Sequence, residues 1–109
     1  MSDAFREGQI VTVFRSRLRE DADPSYEALD ASLRARAAEL GGLVEVKSFV
    51  AEDGERATVV TFADRASHER WARDDVHRAA QRLGRASVYS TFSIQVAECT
   101  SAREFTAPG

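Results

Sequence analysis

The amino-acid sequence predicts one α+β domain, in which four strands and two helical regions follow one another along 109 residues. Three observations predict this class. Four short segments carry apolar residues with the alternation of strands. Two others place apolar residues three or four positions apart, as amphipathic helices do. Between two of the strands lies Asp53-Gly54, a dipeptide typical of a short hairpin turn.

The first half of the chain predicts a strand followed by a helix. Residues 9–19 alternate in the manner of a strand, and the first part of this segment is apolar on both faces. Asp23 can then cap a helix in which Pro24 occupies the first position. An apolar stripe at three-to-four spacing continues to Leu40, and Gly41-Gly42 is expected to end the helix.

The second half of the chain predicts a hairpin, a helical region and a last strand. Residues 43–51 and 56–63 are the two strands of the hairpin. Residues 87–97 are the last strand, in which Val88 and Phe92 share one face and Tyr89 lies on the other. The resulting order, strand-helix-strand-strand-helix-strand, is the ferredoxin-like βαββαβ pattern with a four-stranded antiparallel sheet.

The helical region is expected to start at Asp64 or Ser67 and to stop at Gly84. Asp74-Asp75 lie in its middle, and aspartates are poor residues inside a helix but good caps. We therefore expect a break there. Trp71 and His77 are six residues apart and do not share one helical face, so they can meet only if this break exists.

The predicted sheet leaves one of its faces without a helix. Val11, Val13 and Val59 place apolar side chains on that face, and Arg15 and Arg17 are expected there as interface or rim charges. A second copy of the sheet is the simplest cover, so we expect a homodimer. The alternative is a monomer that exposes a small apolar patch.

Composition excludes several classes of function. The net charge is −3 without a basic stripe, so no nucleic-acid partner is expected. The apolar runs are too short to cross a membrane, and residues 1–8 lack the apolar region of a signal peptide, so a cytoplasmic location is expected. Cys99 is the only cysteine, which rules out a disulfide or a cysteine zinc site within one chain. We expect residues 8–98 to form the domain, and residues 1–7 and 99–109 to be flexible ends.

Four segments of the chain resemble the antibiotic biosynthesis monooxygenase family: residues 10–18, 47–56, 71–85 and 89–96. The resemblance implies a dimeric α+β barrel. Members of this family fall into several groups, and many of them have no assigned activity. Some members oxidise phenolic polycyclic substrates such as anthrones with O2 and without a metal or prosthetic group, and others bind and degrade haem.

The resemblance can be compared residue by residue. The quinone-forming members use a tryptophan, an asparagine and a tyrosine, and the matching positions here hold Trp71, Ser67 and His77. Histidine titrates nearer to neutral pH than tyrosine and is the better general base there. The haem-degrading members use an asparagine, the tryptophan and a histidine, at positions that hold Ser16, Trp71 and Gln81. Glutamine does not replace an axial imidazole, and His77, one turn earlier, is expected to point elsewhere, so haem is not expected.

These comparisons predict a site between the helices and the sheet. The expected catalytic residues are His77, as a base, and Trp71, as an aromatic wall. The expected substrate-binding residues are Phe14, Ser16, Ser67, His68 and Tyr89. No metal site is expected, since the spacing of the two histidines matches no metal motif.

Two functions remain open at this stage, and haem degradation is a third that the missing axial ligand disfavours. The first is a cofactor-independent monooxygenase that oxidises a small aromatic, phenolic, polyketide-like substrate of the anthrone type with O2. The second is a non-catalytic or stress-related module that binds a small apolar ligand in the same cleft. Each candidate residue also has a purely structural alternative: Trp71 as a core aromatic, and His77 as an exposed residue in the first turn of its helix.

Overall fold

The computed structural model describes residues 4–109 and has the predicted α+β class. The strands form one antiparallel sheet in the order β2-β3-β1-β4. No helix in this part of the chain is long and apolar enough to cross a membrane. The elements are β1 (Ile10–Leu18), α1 (Tyr26–Leu40), β2 (Leu43–Val50), β3 (Arg56–Phe62), α2 (Arg65–Arg73), α3 (Asp75–Ser87) and β4 (Tyr89–Glu98).

The central strand β1 pairs with β3 on one side and with β4 on the other. Its even-numbered residues lie on the side of the sheet that faces the helices, which we call the inner face. At one end of this face Ile10 and Phe62 are buried, with 2% and 1% of their surface exposed. Towards the other end, beyond Thr12, the helices and the sheet are separated by a cavity.

The predicted break in the helical region is confirmed at Asp74, whose backbone is extended (φ −66°, ψ 131°). Asp74 ends α2 and caps α3, because its carboxylate accepts a hydrogen bond from the backbone N–H of His77 at 3.1 Å. The same carboxylate accepts a 2.8 Å bond from Arg36 on α1. This pairing holds the pKa of Asp74 below its ordinary value. The break is therefore held in place by hydrogen bonds from both α1 and α3.

Two helix ends differ from the prediction. α1 begins at Tyr26 rather than Pro24, because the carboxylate of Asp23 accepts from the backbone N–H of Ser25 at 2.9 Å and closes a turn before the helix. α3 does not stop at Gly84 but continues to Ser87. A Cβ at Gly84 would lie 2.9 Å from Cε2 of Tyr89. The glycine therefore gives room for a ring and does not end the helix.

The position of Tyr89 is a second correction. Ser90 is an extra residue in β4, because Arg17 pairs with Thr91 whereas Leu18 pairs with Tyr89. Such a bulge shifts the alternation of side chains by one position. Tyr89 consequently lies on the inner face together with Phe92, and not on the opposite face as strict alternation predicts.

The outer face of the sheet carries no helix. Val11, Val13 and Val59 lie there half-buried. Arg15 pairs with Glu55 at 2.6 Å and Arg17 with Asp53 at 2.7 Å, so both arginines bind the carboxylates of the β2–β3 hairpin. The chain exposes 7488 Å², whereas a monomer of this mass is expected to expose about 6,000 Å².

Candidate functional site

A cavity of about 460 Å³ lies between the inner face of the sheet and the helices. The apolar stripe of α1 forms part of its wall, with Leu29, Leu33 and Ala37. Six of the seven residues that the sequence nominated also line it: Phe14, Ser16, His68, Trp71, His77 and Tyr89.

Ser67, the seventh, lies outside the cavity. It has 1% of its surface exposed, and its hydroxyl bonds to the carboxylate of Asp64 at the start of α2. The carboxylate also accepts from the backbone N–H of Ser67 at 2.8 Å, so Asp64 caps this helix as predicted. A Cβ built on Gly42 would lie 2.2 Å from Cβ of Ser67. Ser67 is therefore a packing and capping residue, and it does not line the cavity in which substrate binding is expected.

Trp71 and His77 meet at the break between α2 and α3. Their rings are stacked with centroids 3.9 Å apart and an angle of 17° between the planes. The ring nitrogen Nδ1 of His77 is 2.9 Å from the backbone carbonyl oxygen of Trp71. A carbonyl oxygen can only accept a hydrogen bond, so Nδ1 carries the proton and Nε2 carries the lone pair.

The protonation of His77 follows from its surroundings. Burial lowers the pKa of this imidazole below 6.5, an effect that the bond to Trp71 and the charge of Asp74 only partly oppose. The ring is therefore neutral at pH 7. Within residues 4–109, Nε2 makes no hydrogen bond to the protein. The carboxylate of Asp74 binds the backbone N–H of His77 and not its ring.

His68 lies one helical turn before Trp71 and contributes to the same wall. Its ring packs edge-on against Phe62, with centroids 5.4 Å apart. Burial lowers the pKa of His68 as well. The cavity therefore contains two neutral imidazoles at neutral pH. The described residues contain no group of three or more histidine, cysteine or acidic side chains that could hold a metal ion.

An aromatic cluster forms the part of the wall beside the bulge in β4. The ring of Phe14 lies 5.2 Å from that of Tyr89 and 5.6 Å from that of Phe92, centroid to centroid. Burial raises the pKa of Tyr89, so its hydroxyl stays protonated at neutral pH. Such edge-on and tilted aromatic walls are suited to flat apolar ligands.

Several residues that line the cavity were not predicted from the sequence. Gln81 lies one turn after His77, and both side chains line the cavity, so the expectation that His77 points away from position 81 is wrong. Tyr26 appeared in the sequence only as one member of the apolar stripe. Arg56 was assigned only as the first residue of a strand. The alternation of β3 could have placed Arg56 on the inner face with Thr58, but nothing in the sequence indicates a cavity there.

Comparison with known proteins supports the fold and says little about the chemistry. No family model and no curated protein matches the sequence. Solved structures do match. SnoaB from Streptomyces nogalater, described as a cofactor-independent oxygenase, superimposes with a TM-score of 0.70 at 17% identity, over 90% of this chain and 96% of its own.

Two further structures are similar. A candidate antibiotic biosynthesis monooxygenase from Caulobacter crescentus gives a TM-score of 0.73 at 14% identity, over 89% of this chain and 94% of its own. A protein from Shewanella oneidensis gives 0.74 at 19% identity, over 88% and 95%. At these identities a match shows the fold and not the function. The chain therefore has the fold of the antibiotic biosynthesis monooxygenases.

Proposed function

We propose that the protein is a cofactor-independent monooxygenase that oxidises a small aromatic, phenolic substrate of the anthrone type with O2. The observation that carries this proposal is the state of His77. Its imidazole is neutral, is oriented by the Trp71 carbonyl and presents an unoccupied Nε2 in a cavity with aromatic walls. A weakly acidic ring carbon needs a base of this kind.

His77 and Trp71 have different roles in the proposed reaction. Nε2 of His77 removes a proton from the substrate, and the resulting carbanion is rich enough in electrons to react with O2. Bond formation gives a peroxide on the substrate, and cleavage of the O–O bond leaves a carbonyl. One oxygen atom remains in the product and the other leaves as water with both protons of the original CH2 group. The stacked face of Trp71 stabilises the imidazolium that forms in the first step.

The substrate replaces a cofactor as the source of electrons in this scheme. The description of SnoaB as a cofactor-independent oxygenase supports it. A haem titration is the simplest check. A sharp Soret band at one haem per chain would contradict the proposal, because His77 would then be a ligand rather than a base.

Turnover tests the role of His77 directly. A solution of the protein with an anthrone in air should form quinone faster than buffer. The variant His77→Gln should lose about 100-fold or more of that rate, the usual contribution of a general base. Arg82→Gln is a matched control on the exposed side of the same helix. No quinone above buffer, or an unchanged rate in His77→Gln, would refute the mechanism.

A second candidate function is ligand binding without turnover. The aromatic cluster around Phe14 favours it, because these rings can hold a flat molecule without any chemistry. Saturable binding of an anthrone with no oxygen consumption by the wild-type protein would support this alternative.

We also propose that the protein works as a homodimer in which the outer faces of two sheets meet. The half-buried valines of this face and the large exposed area of the single chain support it. Sedimentation should give twice the 12.0 kDa of one chain. Val13→Arg should shift the protein to the monomer, whereas Ala35→Arg on the exposed side of α1 should not. A wild-type monomer would refute the proposal.

A further inference from the structure

One corner of the cavity combines polar groups with the aromatic cluster. It consists of Ser16, Tyr26, Arg56 and Tyr89, which we call the polar corner. Ser16 and Arg56 are paired across β1 and β3. The hydroxyl of Tyr89 is affected by the charge of Asp30 and, to a smaller extent, by the opposite charge of Arg56. We propose that the polar corner binds a carboxylate on the aromatic ligand, and that the protein therefore selects aromatic acids. This inference rests on the proposed function, since it places an aromatic ligand in the same cavity.

The first argument is the charge of Arg56. Arg15, Arg17 and Arg34 each form an ion pair with a carboxylate. Arg56 has no such partner in the described part of the chain. Its guanidinium donates one 3.3 Å hydrogen bond to the hydroxyl of Tyr26 and lies 5.8 Å from the centre of that ring. The remaining N–H groups of this half-buried cation are available to a bound anion.

The second argument is the supply of hydroxyl donors beside this cation. In residues 4–109 neither the hydroxyl of Ser16 nor that of Tyr89 bonds to the protein. Ser16 has 5% of its surface exposed, so what remains accessible belongs to the cavity. Because burial keeps Tyr89 protonated, this phenol can donate a hydrogen bond but does not repel an anion.

The third argument concerns the acidic side chains nearby. Asp30 also lines the cavity, but Arg34 binds its carboxylate at 3.0 Å and donates a further bond to Ser48. The other charged residues of the lining are the exposed Glu27 and Arg85, and Arg85 lies 5.7 Å from the centre of the Phe92 ring. The three arginines of the wall therefore exceed the two carboxylates.

The fourth argument is distance. The ring of Tyr89 packs on Gly84, seven residues after His77 along α3. At 1.5 Å per residue, the part of α3 that contacts Tyr89 lies about 10 Å along the helix axis from His77. A fused polycyclic acid can therefore place its carboxylate on Arg56, its rings on Phe14 and its reactive carbon near His77.

The test compares two ligands of the same shape. Anthracene-2-carboxylate and anthracene-2-carboxamide are titrated into the protein, and quenching of Trp71, the single tryptophan, reports binding. We expect the acid to bind about tenfold more tightly than the amide. Arg56→Met should remove this preference, because it weakens binding of the acid far more than binding of the amide. Arg56→Lys should keep part of it, and Arg78→Met, outside the cavity, should keep all of it.

Equal affinity for the two ligands, binding of neither, or a preference that persists in Arg56→Met would overturn the inference. Circular dichroism shows whether Arg56→Met has folded. If it has not, Tyr26→Phe, which removes only the hydroxyl oxygen, is used in its place and should reduce the preference for the acid. The proposed oxygenase activity is tested by a separate outcome. If the acid preference is present but no anthrone is oxidised, the polar corner stands and the monooxygenase proposal falls.

Discussion

Gly84 offers a direct test of how the cavity wall is packed. It lies inside α3, where alanine is intrinsically more favourable than glycine by about 1 kcal/mol. A Cβ at this position, however, would lie 2.9 Å from Cε2 and 3.1 Å from Cδ2 of Tyr89. The substitution Gly84→Ala therefore sets helix propensity against the packing of one ring.

The sizes of these two opposing effects determine whether Gly84→Ala stabilises or destabilises the protein. Overpacking a site of this kind costs about 1–3 kcal/mol. After the gain in propensity, Gly84→Ala should lower the free energy of unfolding by about 1 kcal/mol. In a Tyr89→Ala background the ring is absent, and the same substitution should raise the free energy of unfolding by about 1 kcal/mol. The coupling between the two positions is then about 2 kcal/mol, within the range for residues in contact.

Urea denaturation of the four proteins at one protein concentration measures this coupling. The slope of unfolding free energy against urea concentration should be the same in all four proteins. The differences in stability should appear as shifts in the midpoint urea concentration. The Gly84→Ala variant should also bind an aromatic probe more weakly, because the Tyr89 ring is displaced into the cavity. If Gly84→Ala stabilises the protein equally in both backgrounds, the contact with Tyr89 does not determine the packing there and the reasoning is refuted.

Two further predictions concern the imidazole and a turn. Because burial lowers the pKa of His77 below its unfolded value of 6.5, its contribution to stability is complete above that pH and is lost as the pH falls towards the folded pKa. The emission of Trp71 should change over the same range, and this step should be missing in His77→Gln. Gly42→Ala should destabilise the protein by about 3 kcal/mol, because φ is +81° and the new Cβ would meet Ser67 at 2.2 Å. Gly54→Ala has a similar φ of +89° but open space, so urea denaturation should show a smaller loss of about 1 kcal/mol.

The fold was predictable because it depends on patterns that act over short stretches of chain. Alternation placed β1 and β3, and Asp53-Gly54 placed the hairpin between β2 and β3. The poor helix propensity of Asp74-Asp75 also revealed the break on which the meeting of Trp71 and His77 depends. These features are local, so a single sequence contains them.

The features that the sequence did not reveal depend on contacts between distant segments. A glycine at position 84 is typical of a helix end, but the ring of Tyr89 from the next strand determines its role. A serine at position 67 is typical of a polar residue in a binding site, but the turn at Gly42 packs against it and buries it. Arg56 became part of the site only when α1 placed Tyr26 beside it. None of these contacts follows from periodicity or propensity.

The bulge at Ser90 has a consequence for how the cavity can change during evolution. Ser90 is the extra residue that brings Tyr89 to the inner face. If Ser90 instead paired with Leu18, the alternation would be strict and the phenol would turn to the opposite side of the sheet, with no substitution at any position of the lining. A change that removes the bulge while Ser90 is kept is therefore a route to a different ligand preference. Relatives that have the same length here but lack the bulge should differ in what their cavities accept.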